Sequence, residues 1–277
     1  MGILNVTPDS FSDGGRHADT ATAIAHGRRL AAEGAEIVDV GGESTRPGAA
    51  AITLQEELAR VVPVIRALAD EGIATSVDSR HAAVMAAGAD AGAVMLNDVS
   101  GLAHDPAAMQ VAAGFDGPVV VMHMRGTPAQ MARLTDYPEG VVAAVRAWAV
   151  ERIAACEAAG IAAERLVLDP GIGFAKTWQQ SLQLLAALPD LARLGRPLLV
   201  GASRKSFIGH AAGGVASPDD RLPGSLAAAL WAAAAGADIL RVHDVAATRQ
   251  ALAVWRAIAD APRPPAGSAG AGTTRGE

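Results

Sequence analysis

The stretch ATSVDSRHAAVMAAGADAGAVMLND, residues 74–98, sets two short strand-like runs, ATSV and AVML, on either side of an Ala-rich stretch of helical period. The runs at 74–77 and 93–96 have strand length, and the 80–90 stretch between them can carry the chain back across a sheet. The segment therefore predicts one βαβ unit with parallel strands. The same alternation continues in both directions. Strands are predicted at 3–6, 37–40, 74–77, 93–96, 119–122, 166–168, 198–200 and 239–242. Helices are predicted at 18–34, 53–71, 80–90, 105–114, 139–160, 177–194, 223–236 and 244–260. The strands are almost continuously hydrophobic, which requires burial on both faces, as in an all-parallel sheet. Eight βα units in about 261 foldable residues match the roughly 250 of a (β/α)8 TIM barrel, an α/β fold with its active site at the C-terminal ends of the strands. A doubly wound open sheet is the alternative, but Asn-Val-Thr-Pro stands after the first strand where its glycine fingerprint belongs. One domain is expected over 1–261, followed by a disordered tail over 262–277 that is mostly Pro, Gly, Ala and Thr.

Composition narrows the function. No apolar run approaches the roughly 18 residues of a membrane span, and no basic leader precedes an apolar core, so a cytoplasmic protein with no membrane partner is expected. Cys156 is the single cysteine and reads as a small core hydrophobe in an Ala-rich helix rather than a nucleophile. With 23 basic against 29 acidic residues, a net charge of −6 and 3% aromatics, the chain offers nucleic acid no phosphate-tracking surface. Lys176 and Lys205 are the only lysines among those 23 basic residues. Both fall in loop sequences, where a compact ammonium does what a planar guanidinium cannot.

In a barrel the strand ends share one mouth. Here they carry Asn5, Asp39, Asp78, Asn97 with Asp98, His123, Asp169, Ser203 to Lys205, and Arg241 with His243. Converging, they would line a pocket with carboxylates, amides, histidines, arginine and a lysine. Period-two alternation turns Arg241 and His243 to the same side, as a pair able to hold phosphate oxygens. Arg46 lies in the Gly- and Pro-bounded sequence ESTRPG and supplies a second, mobile arginine. Asp78, Asn97 and Asp169 offer acceptors to an amidine-like heterocycle, and Lys205 supplies the matching donor. No HExxH, cysteine cluster or EF-hand loop is present, so an all-protein metal cage is not expected. Mg2+ shared between substrate phosphates and the oxygens of Asn5 and Asp13 is expected instead. DPGIGFAKT (169–177) is not a nucleotide loop, because Ala175 precedes the lysine where glycine is required.

These residues sit in nine ordered motifs: GILNVTPDSFSDGG (2–15), DVGGESTRPG (39–48), VDS (77–79), NDVSG (97–101), HMRGTP (123–128), DPGIGF (169–174), SRKSFIG (203–209), GSLAAAL (224–230) and RVHDV (241–245). By them the chain resembles the dihydropteroate synthase family over nearly its whole length, from residue 2 to about 261. The resemblance implies a transferase of folate biosynthesis, joining 6-hydroxymethyl-7,8-dihydropterin diphosphate to 4-aminobenzoate with release of pyrophosphate, and a target of sulfonamides. It assigns the pterin to Asp78, Asn97, Asp169 and Lys205, and the pyrophosphate to Asn5, Arg46, Arg241 and His243. Mg2+ would lie between the pyrophosphate and Asn5 and Asp13. The aminobenzoate falls to Phe11, Thr45, Pro47 and Ser206. Lys205, Arg46, Asp78 and Asp169 form the implied catalytic set, and a homodimer is implied as well. Two departures stand out: Ala175 replaces the glycine usual after DPGIGF, and Ser181 an asparagine. Family members usually carry a segment ahead of the strand in which this sequence opens. The pterin-binding barrel of corrinoid-dependent methyltransferases is the enzymatic alternative, opposed by SRKS and STRPG. A pterin-binding homologue without catalysis is the other, opposed by the retention of Asn5, Arg46, Arg241 and His243 together.

Overall fold

The computed structural model describes residues 1–6, 15–45, 51–214 and 217–262. Strand and helix alternate along the chain as β1 (Gly2–Asn5), α1 (Gly15–Ala32), β2 (Val38–Gly41), α2 (Leu54–Asp70), β3 (Thr75–Asp78), α3 (Ala82–Asp90), β4 (Met95–Asp98), α4 (Ala108–Gly114), β5 (Val119–Met122), α5 (Val141–Ala158), β6 (Leu166–Asp169), α6 (Trp178–Ala186), α7 (Leu188–Ala192), β7 (Leu199–Val200), α8 (Ser206–Ala211), α9 (Leu222–Ala234), β8 (Ile239–Leu240) and α10 (Val245–Asp260). Strands β1 to β6 pair in parallel in sequence order, and β7 pairs in parallel with β8. Two parallel bridges join the sheets into a ring, Leu168 to Leu198 and Gly2 to Val242. Backbone bonds from Leu168 to Pro197 and from Ile3 to Val242, both 2.9 Å, close it. The fold is the expected eight-stranded barrel.

Side chains sort by strand parity. Met95, Val120, Val167 and Leu199 pack together with Met1, Ile37 and Ile239 as the floor of the barrel interior. Their neighbours in sequence, among them Val38, Leu96, Val119, Val121, Leu166 and Leu168, join the larger cluster beneath the helices. Two residues on from Ile37, Met95, Val167 and Ile239 of that floor come Asp39, Asn97, Asp169 and Arg241, so alternation carries polar groups to the interior directly above an apolar plug.

The helices differ from expectation in two places. The stretch expected as one helix over 177–194 breaks at Ala187 into α6 and α7. Pro189 has no amide hydrogen for an unbroken ladder and sits in the first turn of a new helix, where none is needed. The six-residue α8, with Lys205 at its N-cap, was not among the expected helices and is too short to show a period. Helix starts follow capping chemistry: Thr53 accepts from the amide of Glu56, and Thr177 and Gln180 form a reciprocal capping box. No helix among the described residues is long and apolar enough to cross a membrane. The tail expected to be disordered lies outside the described residues apart from Pro262.

Candidate active site

The inward face at the strand ends holds Asn5, Asp39, Asp78, Asn97, Asp169 and Arg241. The guanidinium of Arg241 spans two carboxylates: Nε donates to Asp39 Oδ2 and Nη2 to Asp78 Oδ2, each at 2.6 Å. Asn97 Nδ2 donates to the same Asp39 oxygen at 3.1 Å. Asp39 is fully buried. It appeared among the strand-end residues without a role in the site, and its partner Arg241 lies 202 positions away in sequence, a separation no local pattern reports.

A second cluster is built by the loop after β6. The amide of Gly171 donates to Asp169 Oδ1 at 2.7 Å, and Lys205 Nζ donates to the carbonyl of Ile172 at 2.5 Å. The same ammonium sits 4.7 Å from the centre of the Phe174 ring. The loop turns through positive φ at Gly171 (67°), Gly173 (81°) and Ala175 (49°). Glycine takes this conformation without strain, whereas Ala175 does not. Lys176 holds the strained turn from behind. Its buried Nζ lies 2.9 Å from His123 Nδ1 and donates to the carbonyls of Phe174 (2.8 Å) and His123 (3.3 Å), while the Tyr137 hydroxyl donates to the carbonyl of Ala175.

Asp98 and His123 were expected in the pocket, and the structure places both elsewhere. Each stands one residue beyond an inward position, so alternation turns it outward. Asp98 accepts from the amides of Ser100 and Leu102, at 2.7 and 2.8 Å. His123 packs edge-on against Trp148 of α5, with ring centres 5.2 Å apart. The pocket therefore has one candidate histidine rather than two. That residue, His243, brings Nδ1 within 3.0 Å of Ser203 Oγ, which ties the end of β8 to the loop after β7. Arg204 reinforces the tie with a forked pair to Asp244 at 3.0 and 2.6 Å.

Asn5 is half-buried at the end of β1, Ser206 is exposed at the first position of α8, and Thr45 is half-buried at the edge of the described residues. Phe11, Asp13, Arg46 and Pro47 lie outside them. The base of the segment that carries Arg46 is pinned: Arg80, after β3, makes a forked, largely buried pair with Glu43 at 2.8 and 2.9 Å.

In the interior the carboxylates of Asp39, Asp78 and Asp169 are set against the cations Arg241 and Lys205, with Lys176 and the Met1 ammonium further contributors. Burial, and after it Asp39, pushes the Asp78 carboxyl up to about 7 against the opposing pull of Arg241. Burial also raises Asp169, which Lys205 opposes, and lowers the Lys205 ammonium to about 8 against the opposing pull of Asp169. Burial disfavours the charge on Arg241, yet Asp39 and Asp78 together hold its pKa above the usual value. The site is thus poised to accept a neutral ligand with adjacent N–H donors, which satisfies carboxylates without adding charge.

Lys176 gives a pH test of the scaffold. Burial lowers its ammonium from 10.5 to about 7, and burial, then Lys176, holds His123 neutral by lowering it to about 3. Between pH 7 and 10.5 the unfolded chain carries a proton at Lys176 that the folded chain has released, so this group makes stability rise with pH across that window. The melting temperature of the wild type should therefore gain on that of Lys176→Met as pH is raised from 7 to 10. A constant gap would contradict the buried, proton-poor environment.

Comparisons with known proteins agree with this arrangement. The family described as Pterin binding enzyme matches residues 1–243. The dihydropteroate synthase of Synechocystis sp. is 47% identical over 261 residues, covering 92% of this chain and 90% of its own. The solved structure of Xanthomonas albilineans dihydropteroate synthase with 4-aminobenzoic acid superposes with a TM-score of 0.88 at 51% identity, covering 95% of this chain and 93% of that one. The same enzyme in complex with 7,8-dihydropteroate superposes with a TM-score of 0.86 at 49% identity, covering 95% and 94%.

Proposed function

The chain belongs to the pterin binding enzymes, among the dihydropteroate synthases, and we propose that its barrel mouth joins 6-hydroxymethyl-7,8-dihydropterin diphosphate to 4-aminobenzoate, yielding 7,8-dihydropteroate and pyrophosphate. The observation that carries this is that one loop fixes both Asp169, through the Gly171 amide, and Lys205, through the Ile172 carbonyl, above an apolar plug. Such a floor offers a pterin both a charged acceptor for its amidine-like N–H edge and a cationic donor for its carbonyl. Asp78 and Asn97 supply further polar contacts to the ring. Arg241, His243 and Asn5 take the diphosphate, with Arg46 as the second arginine.

No protein nucleophile is required. The C–O bond to the diphosphate breaks, and the electron pair leaves with pyrophosphate, whose charge the cationic side chains neutralise. The methylene carbon becomes cationic and is stabilised by the electron-rich dihydropterin. The aryl amine then attacks that carbon and loses its proton. Exclusion of water protects the cation in the interval. Asn5, and Asp13 beyond the described residues, would hold Mg2+. The hard amide oxygen at the end of β1 is the donor type that ion favours. When bound, it supplies charge neutralisation on the leaving group.

The aminobenzoate carboxylate would be read by Ser206, with Thr45 and, outside the described residues, Phe11 and Pro47 assigned to the ring. Sulfonamides should therefore compete with 4-aminobenzoate, because a sulfonyl group presents comparable oxygens to Ser206. The test is inhibition kinetics at several 4-aminobenzoate concentrations: a lengthening competitive series is expected, and inhibition that does not weaken as 4-aminobenzoate rises would overturn the shared site. A homodimer is part of the same proposal, supported by Trp231 of α9, which is 57% exposed although its Nε1 donates to the carbonyl of Leu185 on α6. A cytoplasmic location is supported by the single, buried, unpaired cysteine.

A further inference from the structure

We propose that Asp39 is a positioning residue that couples the two ends of the substrate, keeping Arg241 anchored below the pocket while arrival of the ring at Asp78 frees the outer edge of the guanidinium for the diphosphate. The inference rests on the proposed function.

Asp39 itself is placed too deep to touch a ligand. It is fully buried and stands in register with Ile3 on one side and Ser76 on the other. The layer above it pairs Asn5 with Gly41 and Gly41 with Asp78. Arg241 crosses from one layer to the other, with Nε on Asp39 and Nη2 on Asp78. A guanidinium held at Nε keeps its plane fixed and still has Nη hydrogens to give.

The two carboxylates are not equivalent anchors. Asp39 Oδ2 is shared with Asn97 Nδ2, and Asp39 Oδ1 is buried without a hydrogen-bond partner among the described residues. The negative charge of Asp39 is therefore met chiefly by Arg241, and separating the two would leave a buried carboxylate uncompensated. Asp78 borders the pocket. Ring N–H donors that take its oxygens compete with Nη2, and the guanidinium that loses this contact stays attached through Nε alone. The edge so released lies on the Asp78 layer, nearer the strand ends than Asp39, and is free to take the diphosphate of the proposed function. Occupancy of the ring site and grip on the diphosphate are then linked through one fully buried carboxylate. The other charged groups near the arginine are Asp169, Lys205 and the Met1 ammonium, whose hydrogen bonds go elsewhere, to the Gly171 amide, the Ile172 carbonyl and the Leu240 carbonyl.

Asp39→Asn tests this, because it keeps the shape and removes the anchoring charge. Calorimetry would compare 6-hydroxymethylpterin, which lacks the diphosphate, with the diphosphate ester, alongside steady-state kinetics. The variant should hold the bare pterin within about threefold of wild type while losing about tenfold or more on the diphosphate, the common scale of a coupling between sites, with kcat falling as well. An equal loss on both ligands would overturn the coupling and make Asp39 a general support of the ring site. Wild type binding neither ligand would instead overturn the proposed function. Should Asp39→Asn fail to fold, arginine side-chain NMR on the wild type decides the matter, with the Arg241 Nε–H resonance identified by its loss in Arg241→Lys. That proton should stay protected from exchange when the bare pterin binds, while the Nη signals change. Loss of Nε–H protection on pterin binding would overturn the proposal.

Discussion

Asp169→Asn should abolish pterin binding in any ordinary titration. The substitution keeps volume and removes the charge, and it turns one of two acceptor oxygens into an NH2 donor that faces the ring's own N–H donors. Losing a charge-assisted pair and creating a donor–donor contact costs about 2 to 4 kcal/mol, which is roughly a 30- to 1,000-fold loss of affinity. The fold should survive, because burial already penalises the Asp169 charge and the neutral side chain keeps an oxygen for the Gly171 amide. Calorimetry with a pterin ligand checks the affinity and circular dichroism melting checks the fold. Unchanged affinity would remove Asp169 from the pocket floor.

Gly171→Ala should damage both stability and binding. A Cβ at this position would lie 2.0 Å from the backbone carbonyl oxygen of His123 and 3.3 Å from Lys176 Nζ, in a residue whose φ is +67°. The left-handed conformation costs a non-glycine residue about 1 to 2 kcal/mol, and overpacking adds about 1 to 3 kcal/mol. The melting temperature should fall by about 5 to 15 °C, and pterin affinity should fall with it, since the displaced amide is the one that fixes Asp169. Gly173→Ala is the control. Its φ of +81° strains an alanine as well, but the nearest foreign atom to its Cβ is Lys205 Cδ at 3.4 Å, an ordinary contact. Differential scanning calorimetry of the two variants should show the larger loss at Gly171, and equal melting temperatures would contradict the close approach of the loop to His123, just past β5.

These two sites also mark the boundary of what the sequence discloses. The eight βα units are legible because parallel strands buried on both faces read as short apolar runs between long Ala-rich stretches. The inward positions Asn5, Asp78, Asn97, Asp169 and Arg241 follow once the phase of each strand is known. That phase is set by Met95, Val120, Val167 and Leu199, which the structure gathers at the barrel floor. Without it, Asp98 and His123 look equivalent to their inward neighbours, and both turn out to serve the outer layer. Contacts that depend on ring closure are invisible to local pattern: Arg241 meets Asp39 across 202 positions, and Lys176 meets His123 across 53. The rarity of lysine was the only sign of Lys176, and it could not separate a scaffold residue from a ligand-binding one. Lys205, the other lysine, does face the proposed pocket. The strain at Ala175 was foreshadowed only by the glycine that the resemblance leads one to expect there.

In the proposed reaction this pocket releases pyrophosphate in exchange for an aryl amine. The most direct measurement is pyrophosphate release from 6-hydroxymethyl-7,8-dihydropterin diphosphate with Mg2+, with and without 4-aminobenzoate, together with identification of the pterin product. Release should require the amine for sustained turnover and should match the 7,8-dihydropteroate formed one for one. Binding of the diphosphate with no release in the presence of 4-aminobenzoate, or release at the same rate whether or not the amine is present, would contradict it.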